Sequence, residues 1–276
     1  MIKRIMLLLL PSILLILNCT PPADLSSKKG SLLIIGGGRR PDNIMQKFVD
    51  LCGGTKAKIA VIPTASSYYK EAGPKYVKKF KELGVMDAEA FNILSQEDAD
   101  SDSIVNKLKD FDGYFFGGGN QNKLTEYFLD SKAQQLFLES YQQGKSFGGT
   151  SAGAAIMSEI MLTGDGNWTI LEKDSVKTAR GFGFLDNVII DQHFFKRKRF
   201  NRLLNAVIIN RTKGIGIDEA TSIWVKPDGT AQVIGESVVL VVDPKNAVMP
   251  EKLEAGVLTS QDLKLSIYKH NDTFRL

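Results

Sequence analysis

The chain has 276 residues, 43% hydrophobic, 24% charged and 9% aromatic, which excludes a disordered or collagen-like protein. A chain this long buries roughly 70 to 75% of its unfolded surface and needs no disulfide to hold a core. The formal net charge is +4 at pH 7, falling to +2 once Lys3 and Arg4 are set aside, so charge gives no reason to expect a nucleic-acid partner.

The chain opens with a basic pair, Lys3 and Arg4, and an apolar run from Ile5 to Leu17 broken only by Pro11 and Ser12. That run is short against the ~20 residues a membrane-spanning helix needs, so a signal peptide over residues 1–18 is expected. Leu15-Ile16-Leu17-Asn18-Cys19 resembles a bacterial lipoprotein signal, with Asn18 where a Gly or Ala usually stands. The resemblance makes Cys19 the lipid attachment site and places the protein in the cell envelope, lipid-anchored to a membrane or secreted. The Pro, Ser and Lys-rich stretch that follows, residues 19–30, reads as a tether. Residues 31–276 are expected to form a single domain. Cys52, the other cysteine, sits where a helical pattern runs into Gly53-Gly54 and reads as a small buried apolar residue.

From Ser31 onward, short apolar runs end in glycine or polar residues and alternate with helical stretches. Leu32–Ile35 ends at Gly36-Gly37-Gly38, Ile59–Ile62 at Pro63-Thr64, and Tyr114–Phe116 at Gly117-Gly118-Gly119; each reads as a strand followed by a tight turn. Helices are predicted over Asn43–Leu51, Lys75–Leu83, Ser101–Leu108 and Leu124–Tyr141. Strands buried on both faces and alternating with helices imply a mostly parallel sheet in a three-layer α/β/α sandwich. Ligands of such sheets gather at the carboxyl ends of the strands, where the glycine clusters fall. Further on, Ile223–Val225 and Gln232–Ile234 read as a hairpin around Pro227-Asp228-Gly229, with more strands at Val238–Val242 and Leu263–Tyr268.

Gly36-Gly37-Gly38-Arg39-Arg40-Pro41 lacks the third glycine of a dinucleotide fingerprint, and no phosphate-binding loop occurs, so no nucleotide cofactor is expected. Two distant histidines offer no zinc-type ligand spacing, and no metal is expected either. The informative segment is Gly149-Thr150-Ser151-Ala152-Gly153, a strand-to-helix elbow that exposes a serine hydroxyl, with a helix predicted from Ala152 to Glu159. The N–H of Ala152 would then face an oxyanion. Such a nucleophile needs a base. His270 lies in a polar C-terminal stretch, whereas His193 ends the apolar run Val188–Asp191, so His193 is the candidate. Asp218 and Glu219 end another apolar run, and adjacent residues face opposite ways, so only one can reach the imidazole.

These residues resemble the cyanophycinases of the S51 serine peptidases: Gly149–Ala154, Asp191-Gln192-His193-Phe194 followed by Arg197, Arg199 and Arg202, and Gly216-Ile217-Asp218-Glu219. The resemblance implies a class I glutamine amidotransferase-like fold, Ser151 as nucleophile, His193 as base and Glu219 as orienting acid. In the related aspartyl dipeptidases the acid lies between nucleophile and histidine, where Asp165 and Asp174 stand here. Gly118-Gly119-Asn120-Gln121 is similar to the family's Gly-Gly-Asp-Gln turn, with Gly118 or Gly119 completing the oxyanion hole. Gln121, Asp191, Gln192, Arg197, Arg199 and Arg202 match substrate-binding positions, and guanidinium forks suit free carboxylates. The implied activity is exopeptidase cleavage of a β-aspartyl-linked polymer, cyanophycin (multi-arginyl poly-aspartate), to β-Asp-Arg dipeptides through an acyl-enzyme, with Ser151 expected to attack a β-carbonyl. The alternatives are a peptidase of other aspartyl peptides and a non-catalytic envelope lipoprotein that binds acidic peptides; a homodimer is compatible with each. Without the resemblance, Phe195–Arg199 reads as a basic surface helix for nucleic acid or anionic lipid.

Overall fold

The computed structural model describes residues 29–251 and 255–276; the signal, most of the tether and Cys19 lie outside them. In chain order the elements are β1 (Leu32–Ile35), α1 (Asp42–Leu51), β2 (Lys58–Ile62), α2 (Tyr69–Glu82), β3 (Asp87–Ala90), α3 (Gln96–Asp100), α4 (Asp102–Leu108) and β4 (Gly113–Phe116). There follow α5 (Gln121–Phe128), α6 (Lys132–Gln142), β5 (Ser146–Thr150), α7 (Ala152–Ala155), β6 (Ile160–Gly166), β7 (Val176–Arg180), β8 (Val188–Gln192) and α8 (Phe200–Asn210). The chain closes with β9 (Lys213–Ile217), β10 (Thr221–Val225), β11 (Thr230–Gly235), β12 (Val239–Asp243), β13 (Lys264–Tyr268) and β14 (Thr273–Arg275).

Eight strands form the main sheet in the order β14-β11-β10-β1-β5-β4-β2-β3. The pairs from β1 through β5, β4 and β2 to β3 are parallel, and β10, β11 and β14 add an antiparallel flank. Period-two alternation explains the layers: Leu33, Ile35, Ile59, Val61 and Phe115 pack against Ile44, Phe48 and Phe80 of α1 and α2. Their neighbours Leu32, Ile34, Ala60, Ile62, Tyr114 and Phe116 face the other side, against Leu124, Phe128 and Phe137 of α5 and α6. Both faces are therefore buried, as the continuous apolar runs require.

Sequence and structure differ over the remaining strands. β8 and β9 do not join the main sheet; they pair in parallel within a second sheet, β13-β12-β9-β8. Ile190, Ile215, Ile217 and Val241 of that sheet share the core of the main one, and Leu203 and Val207 of α8 cover its other face with Ile189 and Val242. The long helix expected over Leu124–Tyr141 is two helices. Asp130 is left-handed, with φ 62°, and the Ser131 hydroxyl accepts from Gln134 N while Gln134 Oε1 accepts from Asp130 N. That reciprocal cap starts a new helix. α7 also stops four residues short of the predicted Glu159, because the carbonyls of Ile156 and Met157 accept from Phe182 N and Leu185 N. Phe195–Lys198 is a series of turns rather than a basic surface helix.

Candidate active site

Ser151 follows the last residue of β5, with φ 54° and ψ −109°, a conformation that a non-glycine residue adopts only under constraint. The constraint is steric. A Cβ on Gly149 would strike the carbonyl of Gly153, and a Cβ on Gly153 would strike Phe116, so both glycines of the elbow are close-approach positions.

His193 follows β8, in the other sheet, and is itself left-handed with φ 50°. Glu219 lies between β9 and β10, on the connection that joins the two sheets. What brings the three together is the loop after β1. Ser151 N donates to Ile35 O at 3.1 Å, His193 N to Gly36 O at 2.6 Å, and Ala220 N to Gly37 O at 3.1 Å. Gly37 (φ 106°) has room for no side chain because the His193 ring fills the space, and Gly38 (φ 66°) is closed off by the Glu219 carboxylate. The glycines that lack the dinucleotide fingerprint are thus the scaffold of this site. Their position at the end of a central parallel strand was the available signal.

The side chains form a continuous relay. Ser151 Oγ donates to His193 Nε2 at 2.9 Å, and His193 Nδ1 donates to Glu219 Oε1 at 2.6 Å. The His193 side chain is 8% exposed and that of Glu219 30%. Burial, the largest cause, holds the His193 imidazole below its ordinary 6.5 against the raising effect of Glu219, with smaller lowering contributions from Arg197 and Arg199. The ring is therefore neutral at pH 7 and able to take a proton. Asp218, the other candidate acid, points away: its Oδ1 accepts from Phe195 N and Lys196 N, and its Oδ2 from Ser237 Oγ. It shapes the turn that carries His193. Asp165 and Asp174, the acids of the dipeptidase-type arrangement, make no bond to His193, whose Nδ1 is held by Glu219.

A cleft of about 420 Å³ opens beside Ser151, lined among others by Gly119, Gln121, Asp165, Trp168, Gln192, Arg197 and Arg199. A larger hollow, about 530 Å³, lies at the other end of β8 and β9, where Val188 and Lys213 begin them. It contains none of the three relay residues. Gly118 packs directly against Ser151, and Ala152 follows it at the start of α7. Gln121 is buried and turns both amide N–H groups to the hairpin β6–β7, donating to Leu162 O at 2.9 Å and Thr163 O at 2.6 Å. Gln192 accepts from Arg199 through both its carbonyl and its side-chain oxygen.

Asp191 and Arg202 stand apart from the cleft, 0% and 1% exposed, in a two-pronged ion pair with each other. Arg199, 3.6 Å from the same carboxylate, is the second cation on that one acid. Burial and the nearby Arg202 lower the Arg199 guanidinium to about 10, still charged at pH 7. The cluster thus carries one positive charge without a partner beneath the cleft, and Arg199 Nε and Arg202 Nη1 have no hydrogen-bond partner among the described residues. Trp168, missed in the sequence, covers it, with its ring 5.2 Å from the Arg202 guanidinium and 5.9 Å from that of Arg199. No group of three or more His, Cys, Asp or Glu among the described residues could hold a metal ion.

An α/β sandwich with a serine on an elbow, a buried histidine bonded to it and a carboxylate bonded to that histidine is the arrangement of a serine-type hydrolase. Residues 32–234 match the model of peptidase family S51. The chain is 33% identical over 256 residues to the cyanophycinase of Nostoc sp., covering 90% of this chain and 86% of that one. It is 32% identical over 259 residues to the cyanophycinase of Synechococcus elongatus, covering 91% and 80%. Among solved structures, a peptidase from an acI-B1 Actinobacterium superposes with a TM-score of 0.64 at 21% identity, covering 90% of this chain and 97% of that one, and shares the fold. The chain belongs to peptidase family S51 and is a peptidase.

Proposed function

We propose that the protein is a serine exopeptidase that degrades cyanophycin to β-Asp-Arg, with Ser151 as nucleophile, His193 as general base and acid, and Glu219 as the orienting carboxylate. The observation that carries this reading is the relay of 2.9 and 2.6 Å from Ser151 through His193 to Glu219. The cyanophycinases similar over nine-tenths of the chain support the substrate. Because β-Asp-Arg keeps its side-chain amide, the bond that breaks is the main-chain amide between aspartyl units. Bond bookkeeping thus moves the attack from the β-carbonyl expected from sequence to the main-chain carbonyl.

Ser151 Oγ adds to that carbonyl as His193 Nε2 takes its proton, and Glu219 stabilises the imidazolium. N–H groups of Ala152 and of Gly118 or Gly119 hold the oxyanion. His193 then protonates the leaving amine, the C–N bond breaks, and water releases the acyl group. The net positive charge of the Asp191, Arg199 and Arg202 cluster, with Arg197 on the cleft wall, suits the free carboxylate of the substrate. Asp191 and Arg202 support that charge from behind and do not touch substrate. A relay complete in all three members argues against a non-catalytic binding protein. The signal-like N-terminus supports export, with Cys19 as the lipid attachment that holds the peptidase at the envelope.

Incubating the purified protein and its Ser151→Ala variant with cyanophycin tests the reading. Dipeptide release by the first alone is expected; equal behaviour of the two would refute it. Mass spectrometry of the mature N-terminus tests the anchor, and an unmodified Cys19 would rule it out.

A further inference from the structure

The arginines explain one wall of the cleft. The hairpin β6–β7 lines the same cleft, and it carries an acid. Asp165 lines the cleft together with Arg197 and Arg199, yet among the described residues its side chain makes neither ion pair nor hydrogen bond, and Arg197 makes none either. Charges of opposite sign thus share one small cleft without neutralising one another. A ligand that bears both signs would complete both.

The position of Asp165 is built rather than incidental. The pairing of β6 with β7 shifts register between Leu162 and Gly166, and such an irregularity re-aims the side chains it contains. Gly164 within it is left-handed, with φ 95°, and a side chain there would press on the Gln121 amide at 3.2 Å. Gln121 clamps the two carbonyls that lead into this turn, Leu162 and Thr163. The Asp165 N–H is fixed as well, donating to Thr163 Oγ1 at 3.2 Å. Gln121, expected from sequence to touch substrate, thus acts through the hairpin as a positioning residue. Trp168, three residues on, seats the hairpin against the buried arginines. The carboxylate is free for a cation because His193 already has its acid in Glu219.

We propose that Asp165 is the specificity residue of this cleft, pairing with a cationic side chain on the aspartyl-linked unit while Arg197 and Arg199 take its carboxylate. The inference deepens the peptidase reading, since it concerns the same site, and it names the substrate class as aspartyl peptides bearing a guanidinium or ammonium group. The test separates the two. Short aspartyl oligomers carrying β-linked arginine, or its uncharged isostere citrulline, are titrated calorimetrically against the Ser151→Ala protein with and without Asp165→Asn. The same oligomers are given to the active enzyme for turnover.

A charge-assisted pair in a partly enclosed cleft predicts that the arginyl form binds ~10- to 100-fold more tightly than the citrullyl form. Asp165→Asn should collapse that ratio, and Asp165→Lys should invert it. A ratio unaltered by either change, affinities lowered equally for both oligomers, or no binding of either would overturn the proposal. Binding that follows the prediction without turnover in the active enzyme would leave Asp165 its role and sink the peptidase reading instead.

Discussion

Replacing Glu219 by glutamine tests the relay at its least conspicuous member. Glu219 Oε1 lies 2.6 Å from His193 Nδ1 and holds the proton there, so that Nε2 is free to accept from Ser151. A glutamine of the same shape removes the charge that balances the imidazolium, and it can offer an N–H to Nδ1, which drives the proton to Nε2. The equivalent loss in serine proteases of other folds costs ~10⁴ in kcat. Because Glu219 is 30% exposed, water and amide rotation recover part of this. The expected fall is about 10²- to 10⁴-fold, or about 3 to 5 kcal/mol of transition-state stabilisation. KM should change little, because Glu219 contacts the histidine and not the cleft. Steady-state kinetics on cyanophycin, with far-UV circular dichroism to verify the fold, reads both parameters. A Glu219→Gln enzyme that keeps more than a tenth of wild-type kcat would refute the assigned role.

The remaining predictions concern charge and space around the same residues. The His193 imidazole sits below 6.5, so the acid limb of kcat/KM should fall below pH 6.5; Arg197→Gln removes a repelling cation and should move that limb upward, and an unshifted profile contradicts it. Asp191→Asn leaves two buried guanidiniums without a counter-charge, a cost of about 3 to 5 kcal/mol that should lower the melting temperature by about 6 to 20 °C; a melt within 2 °C of wild type, on a roughly two-degree margin, would count against the pair. Gly37→Ala places a methyl group in the volume of the His193 ring and should cut kcat ~10²-fold while the circular dichroism spectrum persists. Full activity in that variant would show that the loop after β1 does not set the histidine.

The parallel core was legible because β1, β2 and β4 bury both faces, so each is a continuous apolar run that ends in glycine or proline. β3 was not, because Asp87 and Glu89 on this edge strand interrupt any apolar pattern. The hairpin β6–β7 was missed for a related reason: Thr163-Gly164-Asp165-Gly166 and Lys177-Thr178 face solvent or the cleft, and nothing in their spacing marks a strand. With it went Trp168, whose part depends on arginines more than thirty residues away. Local patterns also could not show that β8 and β9 leave the main sheet, since a buried parallel strand reads alike in either sheet. Ser151 and His193 could nonetheless be singled out, because an elbow and a strand end are local features, whereas only the folded chain shows that Glu219 and not Asp218 faces Nδ1.

Labelling with a fluorophosphonate, which phosphonylates only an activated serine hydroxyl, gives the most direct test of whether these three side chains act together. Intact mass and peptide mapping should find one adduct per chain on the peptide containing Ser151, and almost none in His193→Ala. An enzyme that still cleaves its substrate while Ser151 stays unlabelled, or that is labelled equally without His193, would contradict the catalytic relay.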